Sequence, residues 1–345
     1  MPSANVTFGA LPLTRLLPFY PGQMGVPGSD NDRGLRMDTL GQVFYVDPNH
    51  AAANANNDGT DSDNPLSTVA AALTRCSPYH NDVVAVMFNS DWTYGSIAVG
   101  RPLPIREAVT VSVPGVRIVG VAPSGALGVP WCPTGNGAAS ITVNAMDVLI
   151  EGFNFWDDTY TATIGILAQW NSPALFGENL TVRHCHFYEK GYGIVLDYVW
   201  NSYIHDCKFD SCDTEAIFNR STYGDIELVE IKRCVFANNA SAINLPDSDY
   251  NIIENCHLVN NVLGITMGVT SSYNIINNNV IIGTAAGTNN FINLSGGGGV
   301  MNMVSDNWLG CTVAQYDTTC SPGGGGTDMW VRNHLRDGES AANPT

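Results

Sequence analysis

Hydrophobic residues recur along this chain in short alternating runs, and the runs repeat. Eight windows of eight residues share one pattern: residues 116–123 (VRIVGVAP), 148–155 (VLIEGFNF), 180–187 (LTVRHCHF), 202–209 (SYIHDCKF), 229–236 (VEIKRCVF), 251–258 (NIIENCHL), 274–281 (NIINNNVI) and 302–309 (NMVSDNWL). Each has Val or Ile at its third position, and all but the first have a large apolar residue at the eighth. The sixth position runs Val121, Phe153, Cys185, Cys207, Cys234, Cys256, Asn279, Asn307, in steps of 22 to 32 residues. Between the windows lies a second apolar run, as in residues 193–196, 216–218, 242–245, 264–267 and 290–294. Strand-length alternation at a period of 20–50 residues, with no helical segment between, predicts a β-solenoid. Each coil then stacks on the last at the ~4.8 Å spacing of parallel strands.

The repeat starts near residue 109 and stops after Gly310. Residues 41–108 read as a strand (43–47), a polar loop (54–64), a short Ala-rich helix and a buried strand (82–88). The helix opens at 66–68, with Ser67 or Thr68 as N-cap, and runs to about Cys76. An open solenoid end exposes apolar side chains and unpaired backbone, so a capping element belongs there. Residues 1–40 form an extended arm with a hydrophobic knot of Leu11, Leu13, Leu16, Leu17, Phe19 and Tyr20, too apolar for a solvated tail and expected to dock. Residues 311–345 are expected to be a C-terminal cap and tail.

The windows resemble the V-x-I-x-N-C-x-F coil signature of the single-stranded right-handed parallel β-helix of pectate-lyase-like proteins. The opening over residues 43–73, a strand, an Asn/Asp-Gly loop and a short helix, is similar to the start of many such helices. The expected fold class is therefore all-β, one right-handed parallel β-helix with an N-terminal arm and a capping helix. Gly41 to Asp47 and Val111 to Gly120 also resemble structural proteins of tailed bacteriophages. That resemblance implies a virion protein: a homotrimeric head-decoration (cement) protein whose arm contacts the major capsid protein on the capsid surface. The alternative on the same fold is a tailspike or polysaccharide depolymerase, and a third reading is a secreted lyase.

Composition narrows the choice. The chain has 345 residues, 15 basic against 32 acidic, a net charge of −17, and only 14% charged residues. Nucleic-acid binding and an anionic membrane surface both call for basic patches, so neither partner is expected. No run of eighteen apolar residues reads as a transmembrane helix. Residues 1–19 lack the form of a secretion signal, which argues against the lyase and for assembly in a bacterial host cytoplasm. Nine widely spread cysteines without a C-x-x-C pair predict neither a disulfide framework nor a zinc site.

Candidate chemistry is weighed against turn and core chemistry. Cys185, Cys207, Cys234 and Cys256 read as an interior ladder of small fillers, continued by Asn279 and Asn307 as an amide ladder. The Asp58–Asp63 loop resembles an EF-hand but has Val69 where the twelfth-position glutamate belongs. A calcium-dependent lyase mechanism would draw on Arg183, Arg220, Lys232 or Arg233, yet an anionic polysaccharide wants a more basic groove. A depolymerase would use carboxylates about 5–9 Å apart, and Asp206, Asp210 and Asp213 cluster in and after one window. His186 and His257 share one slot. Two aromatic sets, Tyr188, Tyr192, Tyr198, Trp200 and Trp156, Tyr160, Trp170, read as an oligomer interface or a sugar-stacking platform. For a decoration protein no catalytic residue, metal or cofactor is expected.

Overall fold

The computed structural model describes residues 41–337 and 340–341, apart from 89–103, 123–126, 158–160, 171–176, 221, 223, 269, 284–289, 295–300, 313–314, 317–319 and 322–326. The arm residues Leu11, Leu13, Leu16, Leu17, Phe19 and Tyr20, and also Tyr160, lie outside the described residues.

The chain is a parallel β-helix. Three long sheets of 11, 11 and 9 strands run its length, with a two-stranded ribbon at one edge. One coil shows the plan: Thr181–Arg183 in the first sheet, His186–Tyr188 in the second and Tyr192–Asp197 in the third. The next coil repeats it with Tyr203–His205, Lys208–Asp210 and Glu215–Asn219. The eight-residue window is thus two strands meeting at a corner, and a coil has three strands where the sequence pattern shows two. A three-residue strand is too short for its alternation to be told from that of its neighbour across the corner.

Parallel register stacks like on like. In the first sheet Ile118, Ile150, Val182, Ile204, Ile231, Ile253, Ile276 and Val304 form an inward aliphatic column. The second sheet stacks Phe155, Phe187, Phe209 and Phe236 with ring centroids 5.0, 4.8 and 4.8 Å apart. All four rings are fully buried, each adding about 2–3 kcal/mol of apolar burial. The third sheet stacks Ile141, Ile166, Ile194, Ile217, Ile243, Ile265 and Ile292. Gly165 and Gly193 stand beside these columns because a Cβ there would lie 2.6 and 2.7 Å from the rings of Phe187 and Phe209.

Each corner is built from two residues, a left-handed one followed by one whose side chain points inward. Where the first sheet turns into the second, His184, Asp206, Arg233, Asn255, Asn278, Asp306 and Arg332 have φ between 50° and 58°. The residues after them are Cys185, Cys207, Cys234, Cys256, Asn279, Asn307 and Asn333, all buried. The Asn279 carboxamide accepts the Cys256 N–H at 2.9 Å and donates to the Ile253 carbonyl at 3.0 Å; Asn307 and Asn333 repeat the bond one coil on. The corner into the first sheet has Asn251, Asn274 and Asn302 in the same role, ending on Asp328. The corner out of the second sheet has Asn239 and Asn261, continued by Cys212 and then Lys190, whose buried ammonium meets Asp157 at 2.6 Å. A left-handed corner exposes backbone N–H and C=O to the core, and the inward amide satisfies both.

Two features differ from the sequence pattern. Val121 ends the strand Arg117–Val121 and pairs with Met87, whereas Val129 is the residue stacked beside Phe153. An insertion between first and second sheet at residues 122–128 moves the corner, so a fixed eight-residue window misses it. The coil pattern also continues past residue 310: Met329–Val331 and Asn333–Leu335 join the first and second sheets, with Val304 beside Trp330 and Leu309 beside Leu335. Trp330 in an aliphatic slot conceals this last coil.

At the other end Val69–Leu73 is helical, with Thr68 as N-cap accepting the Ala71 N–H at 3.1 Å. The Glu107 carboxylate accepts the Val69 and Ala70 N–H groups at 3.0 and 3.1 Å, so one side chain from the first coils finishes the cap. Val69, Ala72 and Leu73 close the core. The strands Val43–Val46 and Val83–Met87 extend the first sheet, which makes residues 41–108 continuous with the coils.

Candidate active site

The two-stranded ribbon, Ile226–Glu227 beside Ser248–Asp249, sits just before the corner into the first sheet. Ile226 and Ser248 are buried, so period-two alternation turns the flanking residues outward. Asp225 and Glu227 on one coil thereby lie beside Asp247 and Asp249 on the next. Bridges extend the rows, Trp200 to Glu227 on one side and Asp249 to Ser272 on the other. Four carboxylates occupy two adjacent coils, one strand spacing, about 4.8 Å, apart.

Their surroundings separate them. Partial burial raises the proton affinity of Glu227, and the carboxylates of Asp225 and Asp249 raise it further. Burial also raises Asp249, and Asp225 and Asp247 add to it, but the Ser272 N–H donates to its Oδ1 at 2.7 Å and favours its ionised form. Asp247 accepts the Thr270 hydroxyl at 2.6 Å. Glu227 is thus the carboxyl more disposed to hold a proton, and Asp249 the one more disposed to stay charged.

An aromatic cluster adjoins the strip. Trp170 meets Tyr198 edge-on at 5.7 Å, and Tyr198 meets Trp200 at 4.9 Å. Gly224, at φ +152°, admits the Tyr198 ring, which a Cβ would approach to 2.4 Å. Of the two aromatic sets in the sequence, Trp170, Tyr198 and Trp200 come together here, while Trp156 and Tyr188 pair in register on the second sheet.

The carboxylates singled out in the sequence are placed otherwise. Asp206 sits at a left-handed corner and accepts from Nε and Nη2 of Arg233, each at 2.9 Å. Partial burial pushes its pKa up, but Arg233 outweighs burial and holds the carboxyl below its usual range. Asp210 bonds Lys208 at 3.0 Å with Ser211 and Asn238, which likewise outweigh burial and hold it down. Asp213 lies in the next turn, its N–H on the Lys190 carbonyl. Asp206 and Asp210 are thus each engaged by a neighbouring basic side chain. Arg183 meets Glu151 at 3.0 Å, and Lys232 lies between Glu230 and Glu254, each at 3.0 Å. Sequence reasoning passed over Asp225, Glu227, Asp247 and Asp249, yet a signal exists: D-x-E at 225–227 returns as D-x-D at 247–249, 22 residues on, which is one coil.

His186 lies in the same outward row of the second sheet as Lys208, Val235 and His257. Burial, helped by Lys208, pushes its imidazole down to about 4, so it is neutral at physiological pH.

Residues 133–305, half of the chain, match the family described as periplasmic copper-binding protein (NosD). The chain belongs to the NosD family. The copper in that description does not fit the donors described here. The stacked thiols donate to carbonyls inside a close-packed core, Cys185 to Arg183, Cys207 to His205, Cys234 to Lys232 and Cys256 to Glu254, at 3.2 to 3.4 Å. Burial pushes Cys207 and Cys256 up, away from the thiolate a metal requires, and although burial also acts on Cys234 the bonds from those two thiols outweigh it and hold Cys234 down, enclosed between them in the core. Among the described residues no three His, Cys, Asp or Glu side chains are grouped to hold a metal. Solved structures similar to this NosD-family chain include ORF18 of Geobacillus virus E2 (14% identity, 85% of this chain and 60% of that one, TM-score 0.42). A rhamnogalacturonan lyase matches at 13% identity (87% and 75%, TM-score 0.40). The tailspike gp49 of Acinetobacter baumannii bacteriophage Fri1, a capsular polysaccharide depolymerase, matches at 10% (89% and 65%, TM-score 0.42). The chain thus spans 60% of the length of the first of these. A comparison with curated proteins finds no match. Among the described residues no helix is long and apolar enough to cross a membrane.

Proposed function

We propose that the chain acts on a polysaccharide, with the acidic strip as its acid–base machinery. The observation that carries this reading is the Glu227–Asp249 pair: neighbours on adjacent coils, both raised in proton affinity, only Asp249 given an N–H donor by Ser272. Glu227 protonates the glycosidic oxygen as the bond breaks and Asp249 bonds to the anomeric carbon from the opposite side; a water, deprotonated by Glu227, then displaces Asp249 and releases the reducing end. Direct register on adjacent strands suits the close carboxyl spacing of retaining enzymes rather than the wider one of inverting enzymes, so the expected outcome is retention. Trp170, Tyr198 and Trp200 offer ring faces and edges to sugar rings beside the carboxylates. The test is release of reducing ends from a panel of capsular polysaccharides. Glu227→Gln and Asp249→Asn should each lower the rate at least about 100-fold, with Asp206→Asn and Asp213→Asn near the parent. Undiminished cleavage in both of the first two variants removes the assignment.

A second reading is a structural protein of a tailed-bacteriophage virion, a homotrimer decorating the capsid through its arm. What favours it is the corner into the first sheet, where four successive coils expose Leu228, Tyr250, Tyr273 and Met301 at left-handed positions. Quantitative mass spectrometry of purified particles separates the two: a copy number near that of the shell protein supports decoration, a handful of copies a tailspike.

A further inference from the structure

Six basic side chains of the coils, Arg183, Lys190, Lys208, Lys232, Arg233 and Arg332, each lie within 3.0 Å of a carboxylate. Arg117 departs from them. Nη1 of its guanidinium is enclosed and has no hydrogen-bond partner, and among the described residues no carboxylate pairs with it. Scarcity of acid does not explain this, because the chain holds 32 acidic residues against 15 basic ones. Glu151 stands one strand away and two residues on, since Arg117 pairs with Leu149 and Val119 with Glu151. Its carboxylate is turned the other way: Oε2 meets Arg183 Nε at 3.0 Å, and Oε1 meets His184 Nδ1 at 3.2 Å. Burial lowers the proton affinity of Arg117, the Arg183 charge lowers it further, and Glu151 offsets only part of the two. A guanidinium withdrawn from water beside a second cation is costly unless an anion joins it.

We propose that Arg117 binds an oxyanion, the carboxylate, sulfate or phosphate group of a ligand, on the outward face of the first sheet, with Arg183 adding its charge. Ile118, Ile150 and Val182 are buried in the core, so alternation turns Arg117, Leu149, Thr181 and Arg183 outward on three adjacent strands. The planar guanidinium offers parallel N–H groups to two oxygens of one anion, the geometry that carboxylate, sulfate and phosphate share. Arg117 as a whole keeps partial exposure, which gives a ligand access. The site is separate from the acidic strip. The outward row Arg117, Leu149, Thr181, Tyr203, Glu230 sets four strand spacings, about 19 Å, between Arg117 and the coil of Glu227. That is more than twice the ~8 Å screening length at physiological salt, so the strip does not repel an anion held here. Elsewhere the net charge of −17 disfavours anions, which makes binding at Arg117 local.

Calorimetric titration of the full chain with sulfate, phosphate and glucuronate tests this, at matched ionic strength and with glucose as the uncharged control. At least one of the three anions should bind saturably, and glucose should not. Binding of sulfate or phosphate supports the site with a tetrahedral anion; binding of glucuronate supports it with the carboxylate of a sugar acid. Arg117→Met should weaken binding at least about tenfold. Arg336→Met, which removes an exposed charge from the last coil, should leave it unchanged. Arg117→Lys keeps the charge without the fork and should bind several-fold more weakly than the parent; this arm stands even if Arg117→Met does not fold. No saturable binding of any of the three anions, undiminished binding in either Arg117 variant, or an equal loss in Arg336→Met overturns the proposal.

Discussion

The corner that leaves the first sheet and the corner that enters it share one construction and differ in one respect. Both turn on a left-handed residue followed by a buried one, and in the C-terminal coils both run an Asn ladder inside: Asn279, Asn307 and Asn333 at one, Asn251, Asn274 and Asn302 at the other. Outside, the first carries Asn255, Asn278 and the Asp306–Arg332 pair, and the second carries Tyr250, Tyr273 and Met301. Backbone geometry dictates the inner residue, because an unpaired N–H facing the core has no other partner. It leaves the outer residue to solvent or to a neighbour. An outer residue that contradicts backbone preference therefore carries information about surroundings, which the inner ladder does not.

The largest test of that division lies inside. Asn274→Ala and Asn279→Ala each leave a buried N–H and a carbonyl unpaired, and each should cost about 2–4 kcal/mol in denaturant unfolding. Equal costs would support a common inner device. A near-neutral Asn274→Ala would mean that the apolar corner is held by something else. The outer positions should respond more weakly and with opposite signs. Leu228→Asn should stabilise the isolated chain by about 1 kcal/mol, and Asn278→Leu should destabilise it by about the same amount. If both variants lose stability, the left-handed preference does not govern these sites.

The smallest effect is electrostatic and contrasts Asp206 with Glu227. The pKa of Asp206 is lowered in the fold, so its stabilisation is present above the ordinary value of 3.8 and is lost as pH falls through the lowered one. Asp206→Asn should lower the melting temperature at neutral pH and match the parent in strong acid. The pKa of Glu227 is raised, so its stability contribution is full below the ordinary 4.5 and is lost as pH rises through the raised value. Glu227→Gln should raise the melting temperature at neutral pH by about 1–2 °C and match the parent in acid. Melting curves at both pH values that moved in the same direction would contradict the assignment.

The coils were legible because stacking forces a recurring sequence. Ile118, Ile150, Val182 and Ile204 sit at one position of every window, and the Cys-to-Asn column appears in the same way. The corners were not legible as corners, because a three-residue strand has too few alternations to show where it ends. That is why two strands merged into one window and why Trp330 concealed the last coil. The acidic strip escaped for a related reason. Its ribbon has two residues per strand, so nothing local tells Asp225 and Asp249 apart from ordinary turn residues. Only the 22-residue step to the next coil relates them.

The short step between coils also bears on how the chain reaches its fold. Parallel sheets are usually slow to form, because their strands meet over long stretches of chain. Here a strand meets its successor about 25 residues later in a chain of 345, a separation below one tenth of the length and typical of fast, locally wired proteins. With the capping helix completed by Glu107, the first coils offer a finished template before the rest exists. The molecule should then assemble as a one-dimensional zipper, each coil seeded by the one before, in step with its own synthesis.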